Sequence, residues 1–343
     1  MTGDGLRAYR LHVPPSYTGS DPVPLVLNIH GATSSSAVQE SYTGFSAKAD
    51  AEGFIVVYPE GVTTAGLPFP HFNAWQLASP EPNDVAFVNT LLDAIEAALC
   101  IEHARVFSTG LSNGAMMSVR LACSLPGRIA AIAAVAGAYY PPIALDLNAA
   151  ETCTGITPVP ILLFHGTSDV PVPFNGGFGG IPGLMITFRL PMDDNTPADD
   201  VLADWSAHNG CTAGRQESQI DTEVRLITYA SCDANAGVQL YAVDGGGHTW
   251  PGAVDVPPLG YTTHQISAND LIWAFFSDHP LTLPSSVGGI SEQLTSDSRP
   301  ATAPSRSERQ HAASDYALGA AGALVAVFAL AAAAWRLRRK APV

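Results

Sequence analysis

Ser112, Asp169 and His248 are the residues whose types and surroundings could carry out acyl transfer. Ser112 sits in Gly-Leu-Ser-Asn-Gly at positions 110–114, which fits G-x-S-x-G. That motif is informative only where a strand enters it and a helix leaves it. Both flanks are expected here. Val106 and Phe107 lie in a short apolar run that reads as a buried strand, and residues 115–123 read as a helix closed by Pro126. Gly110 and Gly114 let strand and helix pass closely, so the turn lifts Ser112 Oγ above the sheet. A serine hydroxyl is inert at its own pKa and needs a base, which in turn needs an orienting acid.

The base and acid should follow strand ends at the same sheet edge, because sites in open parallel sheets form beyond the carboxyl ends of the strands. Asp169 comes three residues after Gly166, which ends the apolar run 159–166. His248 stands in Gly-Gly-Gly-His-Thr-Trp-Pro-Gly, after the apolar run 238–243. The order Ser, Asp, His is that of α/β-hydrolases rather than of chymotrypsin or subtilisin. His30 and His165 are at strand ends, where structural hydrogen bonds are expected. His71 and His264 read as surface residues, and Asp193 and Asp194 as rim acids. An oxyanion hole needs two backbone N–H groups. One is expected from Asn113, the other from Ala32, or from Thr33 if the turn after Gly31 is shifted.

Those residues require a sheet to hold them. Residues 7–13, 24–30, 54–58, 129–137, 159–166, 223–229 and 238–243 read as strands. Asn83 is expected to cap a helix running to about Leu99, Thr196 and Asp199 a capping box, and Ser267 with Asp270 a closing helix. Strands alternating with helices imply an α/β fold, a mainly parallel sheet with helices on both faces. The segment 171–197, rich in glycine and proline, reads as a cap or rim.

Composition narrows the partners. The 343 residues carry a net charge of −15 and only two lysines, Lys48 and Lys340. An acidic, lysine-poor chain argues against nucleic acid and against polyanionic substrates. Neither C-x-x-C nor H-E-x-x-H occurs, and no glycine-rich phosphate loop follows the first strand, so neither metal nor cofactor is expected.

Together His30-Gly31, Gly-Leu-Ser-Asn-Gly-Ala-Met-Met, His-Gly-Thr-Ser-Asp and Gly-Gly-Gly-His-Thr-Trp-Pro-Gly resemble the esterase/polyhydroxybutyrate depolymerase family, which overlaps feruloyl and acetylxylan esterases. The resemblance covers residues 6–279, with the four motifs in family order. It implies an α/β-hydrolase fold and a serine esterase with Ser112 as nucleophile, Asp169 as acid and His248 as base. The substrate would be a carboxylic ester, possibly polymeric. Trp250, Trp75 and Tyr139 are the aromatic candidates for gripping it. A serine peptidase of the same fold is the second enzymatic reading. A non-catalytic surface binding protein is a third, and the complete Ser/Asp/His set argues against it.

Five cysteines permit two bridges. Cys211 and Cys232 flank one segment and are expected to pair. Cys100 precedes the elbow strand and Cys123 lies down the elbow helix, so these two are expected to meet at one end of the sheet. Cys153 is then left over, or competes for Cys123. Two bridges fit an exported domain.

Four regions are expected: a catalytic domain at 1–280, a Ser/Pro/Thr-rich stalk at 281–315, a transmembrane helix at 316–335 and a basic cytoplasmic tail at 336–343. The tract 316–335 is 20 uncharged residues, followed by Arg336, Arg338, Arg339 and Lys340. At about 1.5 Å per residue it spans the roughly 30 Å of a bilayer core. The positive-inside rule puts the catalytic domain at the cell surface. No secretory signal is visible at Met1, so the start is expected to be truncated or misassigned, with a tail anchor inserted against the charge rule as the alternative.

Overall fold

The computed structural model describes residues 6–64, 68–74, 82–137, 153, 157–177, 179 and 196–282. The chain divides after Leu281. In order, the described elements are β1 (Tyr9–His12), β2 (Val23–Ile29), α1 (Ser36–Thr43), α2 (Phe45–Glu52), β3 (Ile55–Pro59), α3 (Asp84–Ala98), β4 (Ile101–Leu111), α4 (Asn113–Ser124), β5 (Ala131–Val135), β6 (Ile161–Gly166), α5 (Ala198–His208), β7 (Gln216–Asp221), β8 (Val224–Tyr229), β9 (Val238–Val243) and α6 (Ala268–Asp278).

All the described strands join one sheet in the order β1-β3-β2-β4-β5-β6-β9-β8-β7. The run from β3 to β9 is parallel. Antiparallel strands close both edges, β1 on β3 and the β7–β8 pair on β9. Successive side chains of a strand face opposite ways, and the apolar runs use both faces. Leu25, Leu27 and Ile29 enter one core with α3, α4 and α5. Val26 enters the other with Phe45 of α2 and Ile272 of α6. Covering both faces is why these strands read as continuous apolar runs instead of alternating ones.

The caps at Asn83 and Ser267 form: their side chains accept from Ala86 N and Asp270 N. The capping box at Thr196 does not. Helix α5 begins at Ala198 with Pro197 at its N-cap and no side-chain cap bond.

Cys211 and Cys232 are bridged. The second bridge corrects the expected one: Cys123 pairs with Cys153, their Cα atoms 4.7 Å apart, and Cys100 is free. The cause is the unequal rise of strand and helix. β4 runs 11 residues, roughly 36 Å at about 3.3 Å each. The ten steps from Asn113 to Cys123 return only about 15 Å at 1.5 Å each. Cys123 therefore stops well short of the end where Cys100 lies. There the Cys100 N–H donates to the Tyr17 hydroxyl at 2.7 Å, and its carbonyl accepts Val23 N–H at 3.0 Å.

Among the described residues no helix is long and apolar enough to cross a membrane. The tract 316–335, the basic tail and the stalk from residue 283 on lie outside the described residues.

Candidate active site

β4 ends at Leu111, and the next residue turns the chain. Ser112 has φ 56° and ψ −121°, a conformation non-glycine residues rarely adopt, and α4 starts at Asn113. Such strain persists only where its surroundings hold it. Ser112 N–H donates to Val135 O of the neighbouring β5 at 2.9 Å. A Cβ on Gly110 would lie 2.5 Å from Ile29 O, and one on Gly114 would collide with the same carbonyl. Only glycine fits at either position. A Cβ placed on Gly31 would sit 3.9 Å from Ser112 Oγ, so the loop after β2 runs beside the hydroxyl. Ser112 Oγ makes no hydrogen bond among the described residues.

The sheet register carries Asp169 and His248 to the same edge. Leu111, Val135, Phe164 and Tyr241 lie in one row across β4, β5, β6 and β9. The loops after β6 and β9 are then laced together. Thr167 N–H donates to Val243 O at 2.9 Å, Ser168 N–H to Gly246 O at 2.9 Å, and Gly245 N–H to Thr167 Oγ1 at 2.8 Å. A Cβ on Gly166 would strike Gly246 O, so glycine is what lets the loops touch.

Held this way, His248 Nδ1 donates to Asp169 Oδ2 at 2.8 Å. Asp169 Oδ1 accepts Val172 N–H at 2.8 Å. His165 lies 3.5 Å from the same carboxylate and donates from Nε2 to Val172 O at 2.8 Å, a structural role. Burial alone would raise the Asp169 pKa. The charge of His248, the nearby His165 and the hydrogen bond from His248 outweigh it and hold the carboxyl at about 2.

The two expected oxyanion donors after β2 differ. Thr33 N–H is already donated to Pro70 O at 2.9 Å. Ala32 N–H has no partner among the described residues. Asn113 is the first residue of α4, where the helix dipole is positive. Its side chain pairs with the Phe72 backbone: Oδ1 accepts Phe72 N–H at 2.7 Å and Nδ2 donates to Phe72 O at 3.0 Å.

Among the aromatic candidates, Trp250 is a correction. It is 1% exposed. Its Nε1 donates to Asn269 at 2.9 Å and its ring meets Phe45 edge-on. It anchors the His248 loop in the core instead of facing substrate. Trp75 and Tyr139 lie outside the described residues, as do Asp193 and Asp194. His71 is also a correction, being buried, with Nδ1 donating to Phe69 O at 2.9 Å. His30 is buried too: Nδ1 donates to Gly31 O at 2.8 Å, and Nε2 accepts Gly61 N–H at 2.9 Å. Burial pushes its pKa down. No group of three or more His, Cys, Asp or Glu that could hold a metal occurs among the described residues.

The sequence reading missed the segment 70–74. Two of its partners, Asn113 and Arg120, come 41 and 47 residues later, the third, Asp84, opens the next helix, and no local pattern marks it.

Sheet order, the strained turn after β4 and the two laced loops define an α/β-hydrolase. The Phospholipase/Carboxylesterase family matches residues 82–178. Over 282 residues the chain is 32% identical to NocK of Nocardia uniformis subsp. tsuyamanensis, which is named as an esterase, covering 77% of each chain. It is 29% identical to feruloyl esterase B of Piromyces equi, over 68% of this chain and 41% of that one. It is 25% identical to the bifunctional acetylxylan esterase/xylanase XynS20E of Neocallimastix patriciarum, over 81% of this chain and 34% of that one. The chain thus spans less than half the length of the last two. Acetyl xylan esterase from Aspergillus awamori shares the fold, with a TM-score of 0.55 at 16% identity over 79% of this chain and 94% of that one. The chain belongs to the esterase family of α/β-hydrolases in which feruloyl and acetylxylan esterases are found.

Proposed function

We propose that the protein is a serine esterase that hydrolyses carboxylic esters through an acyl-enzyme on Ser112. His248 Nε2 takes the Ser112 Oγ proton as Oγ adds to the ester carbonyl. The oxyanion is held by the N–H groups of Ala32 and Asn113. Collapse expels the alcohol, which leaves with the proton from His248. Water then enters, gives a proton to His248 and displaces the acid from Ser112 in the same way. Asp169 keeps the imidazole in the tautomer that leaves Nε2 free to act, and stabilises the imidazolium.

The supporting observation is the strained Ser112 turn at the sheet edge where Asp169 and His248 are hydrogen-bonded. Ser112→Ala should abolish release of p-nitrophenol from a short-chain ester, by about a millionfold, with folding unchanged. Normal turnover by that variant would sink the assignment.

The names of the relatives suggest the substrate class: feruloyl or acetyl esters of plant polysaccharide, with hydroxyalkanoate polyesters as the related polymeric class. Comparing methyl ferulate, acetylated xylan and hydroxybutyrate oligomers separates these. For location, the two disulfides favour an exported domain. The tract 316–335 is proposed as its membrane anchor, placing the enzyme at the cell surface.

A further inference from the structure

Residues 70–72 touch both sides of the proposed oxyanion hole. Pro70 O accepts the N–H of Thr33, next to Ala32. Two residues on, Phe72 gives its N–H to the Asn113 side chain and takes a hydrogen bond back from it, at 2.7 and 3.0 Å. Each end of this short segment therefore grips the neighbour or the side chain of one expected donor residue.

The segment is itself tied down. His71 pairs with Val62 through two backbone hydrogen bonds of 3.0 and 3.1 Å. Asp84 Oδ2 accepts Asn73 N–H at 2.6 Å, and Asp84 Oδ1 takes the buried Arg7 guanidinium at 2.6 Å. Arg120 of α4 donates to Asn73 O. The His30 ring packs 4.8 Å from that of Phe72 while its nitrogens join Gly31 to Gly61. Two buried cations and a buried carboxylate are costly to bring out of water. Here they are spent on the backbone of a loop that contributes no group to the proposed chemistry.

We propose that residues 70–72 form a strap that fixes the spacing between the Ala32 and Asn113 N–H groups, with the Asn113 side chain as the positioning residue that holds it. The proposal rests on the serine esterase reading above. The strap acts where precision matters most. Preorganised donors work because they need not move as the charge develops, and losing one costs about a hundredfold or more. A misplacement of about 1 Å has a comparable cost.

Asn113→Ala keeps its backbone N–H and loses both strap bonds. We expect kcat to fall about ten- to a hundredfold, with KM changed less than about threefold. Inhibition by phenylboronic acid, which adds Ser112 Oγ to give a tetrahedral anion, should weaken in step with kcat/KM. A role in stability alone would lower the melting temperature and leave kcat per folded enzyme and the boronate Ki in place. In the unaltered enzyme, boronate binding should slow amide exchange at Thr33 and Phe72 by at least about tenfold, a measurement independent of how the variant folds. The strap is overturned if kcat and Ki of Asn113→Ala stay within about twofold of the parent, or if exchange at both amides is unmoved by a boronate that inhibits. Ser112→Ala, run alongside, separates the two readings. Loss of activity there with a normal Asn113→Ala condemns the strap only, and an active Ser112→Ala condemns the esterase assignment beneath it.

Discussion

His248 Nδ1 donates to Asp169 Oδ2 across 2.8 Å, although the two residues are 79 positions apart in the chain. Parallel pairing of β6 with β9 sets Gly166 opposite Val243, so both loops leave the sheet side by side. The hydrogen bonds of Thr167, Ser168 and Gly245 then fix one loop against the other. Val172 N–H fills the second carboxylate oxygen and stops the carboxyl from rotating. The imidazole is thus oriented from behind by a group that is itself held in place.

Asp169→Asn tests that relationship. Asparagine keeps the shape and the bond from Val172 N–H, but can present its amide N–H₂ to His248 and favour the wrong tautomer. In the known triad case this costs about ten-thousandfold in kcat. A drop of that order is expected, with KM nearly unchanged because no substrate contact is lost. Steady-state kinetics on a p-nitrophenyl ester decide it. Activity within about tenfold of the parent would mean that another acid serves His248.

The same carboxylate should appear in the pH dependence of stability. Its folded pKa, about 2, lies below the ordinary aspartate value of 3.8. The unfolded chain therefore binds the proton first as pH falls. The stabilisation is complete above about pH 4 and is lost as pH drops from there through 2. Nearly two pKa units correspond to roughly 2 kcal/mol. Urea unfolding of the parent should weaken across that window, and Asp169→Asn should show a loss smaller by about that amount. Parallel curves for the two proteins would refute the shift.

The parallel sheet was legible in the sequence because its strands are buried on both faces and appear as apolar runs between turn residues. Ser112, Asp169 and His248 could be singled out for the same reason, since each follows such a run. What stayed hidden was structure whose inner face is not apolar. Helix α1 buries Ser36, Gln39 and Thr43. Gln39 and Thr43 face Asn28 of β2 through hydrogen bonds of 2.8 and 3.2 Å, so no hydrophobic period marks the helix and its start reads as a serine-rich loop. Strand β7 is exposed along its whole length and has no core face to pattern. Trp250 read as a substrate contact because its sequence position is beside His248. The turn after His248 instead sends its ring into the core against Phe45. Thr33 could not be separated from Ala32, because the acceptor that occupies its N–H, Pro70, comes 37 residues later.

The proposed anchor makes a separate prediction. The tract 316–335 has no charge and precedes four basic residues within positions 336–340. Removing residues 312–343 should leave an active, soluble enzyme, because Met1–Leu281 is a compact unit with its own cores. The full chain should enter the detergent phase in a two-phase separation and the shortened one the aqueous phase. Recovery of the full chain from the aqueous phase would remove the anchor and leave the chemistry untouched.

The cysteine pairing gives the last test. Cys123–Cys153 joins the end of α4 to a residue 30 positions later, and Cys211–Cys232 closes a span of 21. Under non-reducing conditions, peptide mapping should recover both cross-linked pairs and find Cys100 as the thiol that takes iodoacetamide after unfolding. Cross-linking mainly restricts the unfolded chain, and loops of this size are worth about 2–4 kcal/mol. Cys153→Ser should therefore lower stability by about that much and free Cys123, giving two alkylated thiols in place of one. Cys100→Ser should change stability by far less, since its backbone bonds to Tyr17 and Val23 remain. A Cys100–Cys123 peptide in the map would show that α4 returns further along β4 than the rise of a helix allows, and would overturn the placement of Cys153.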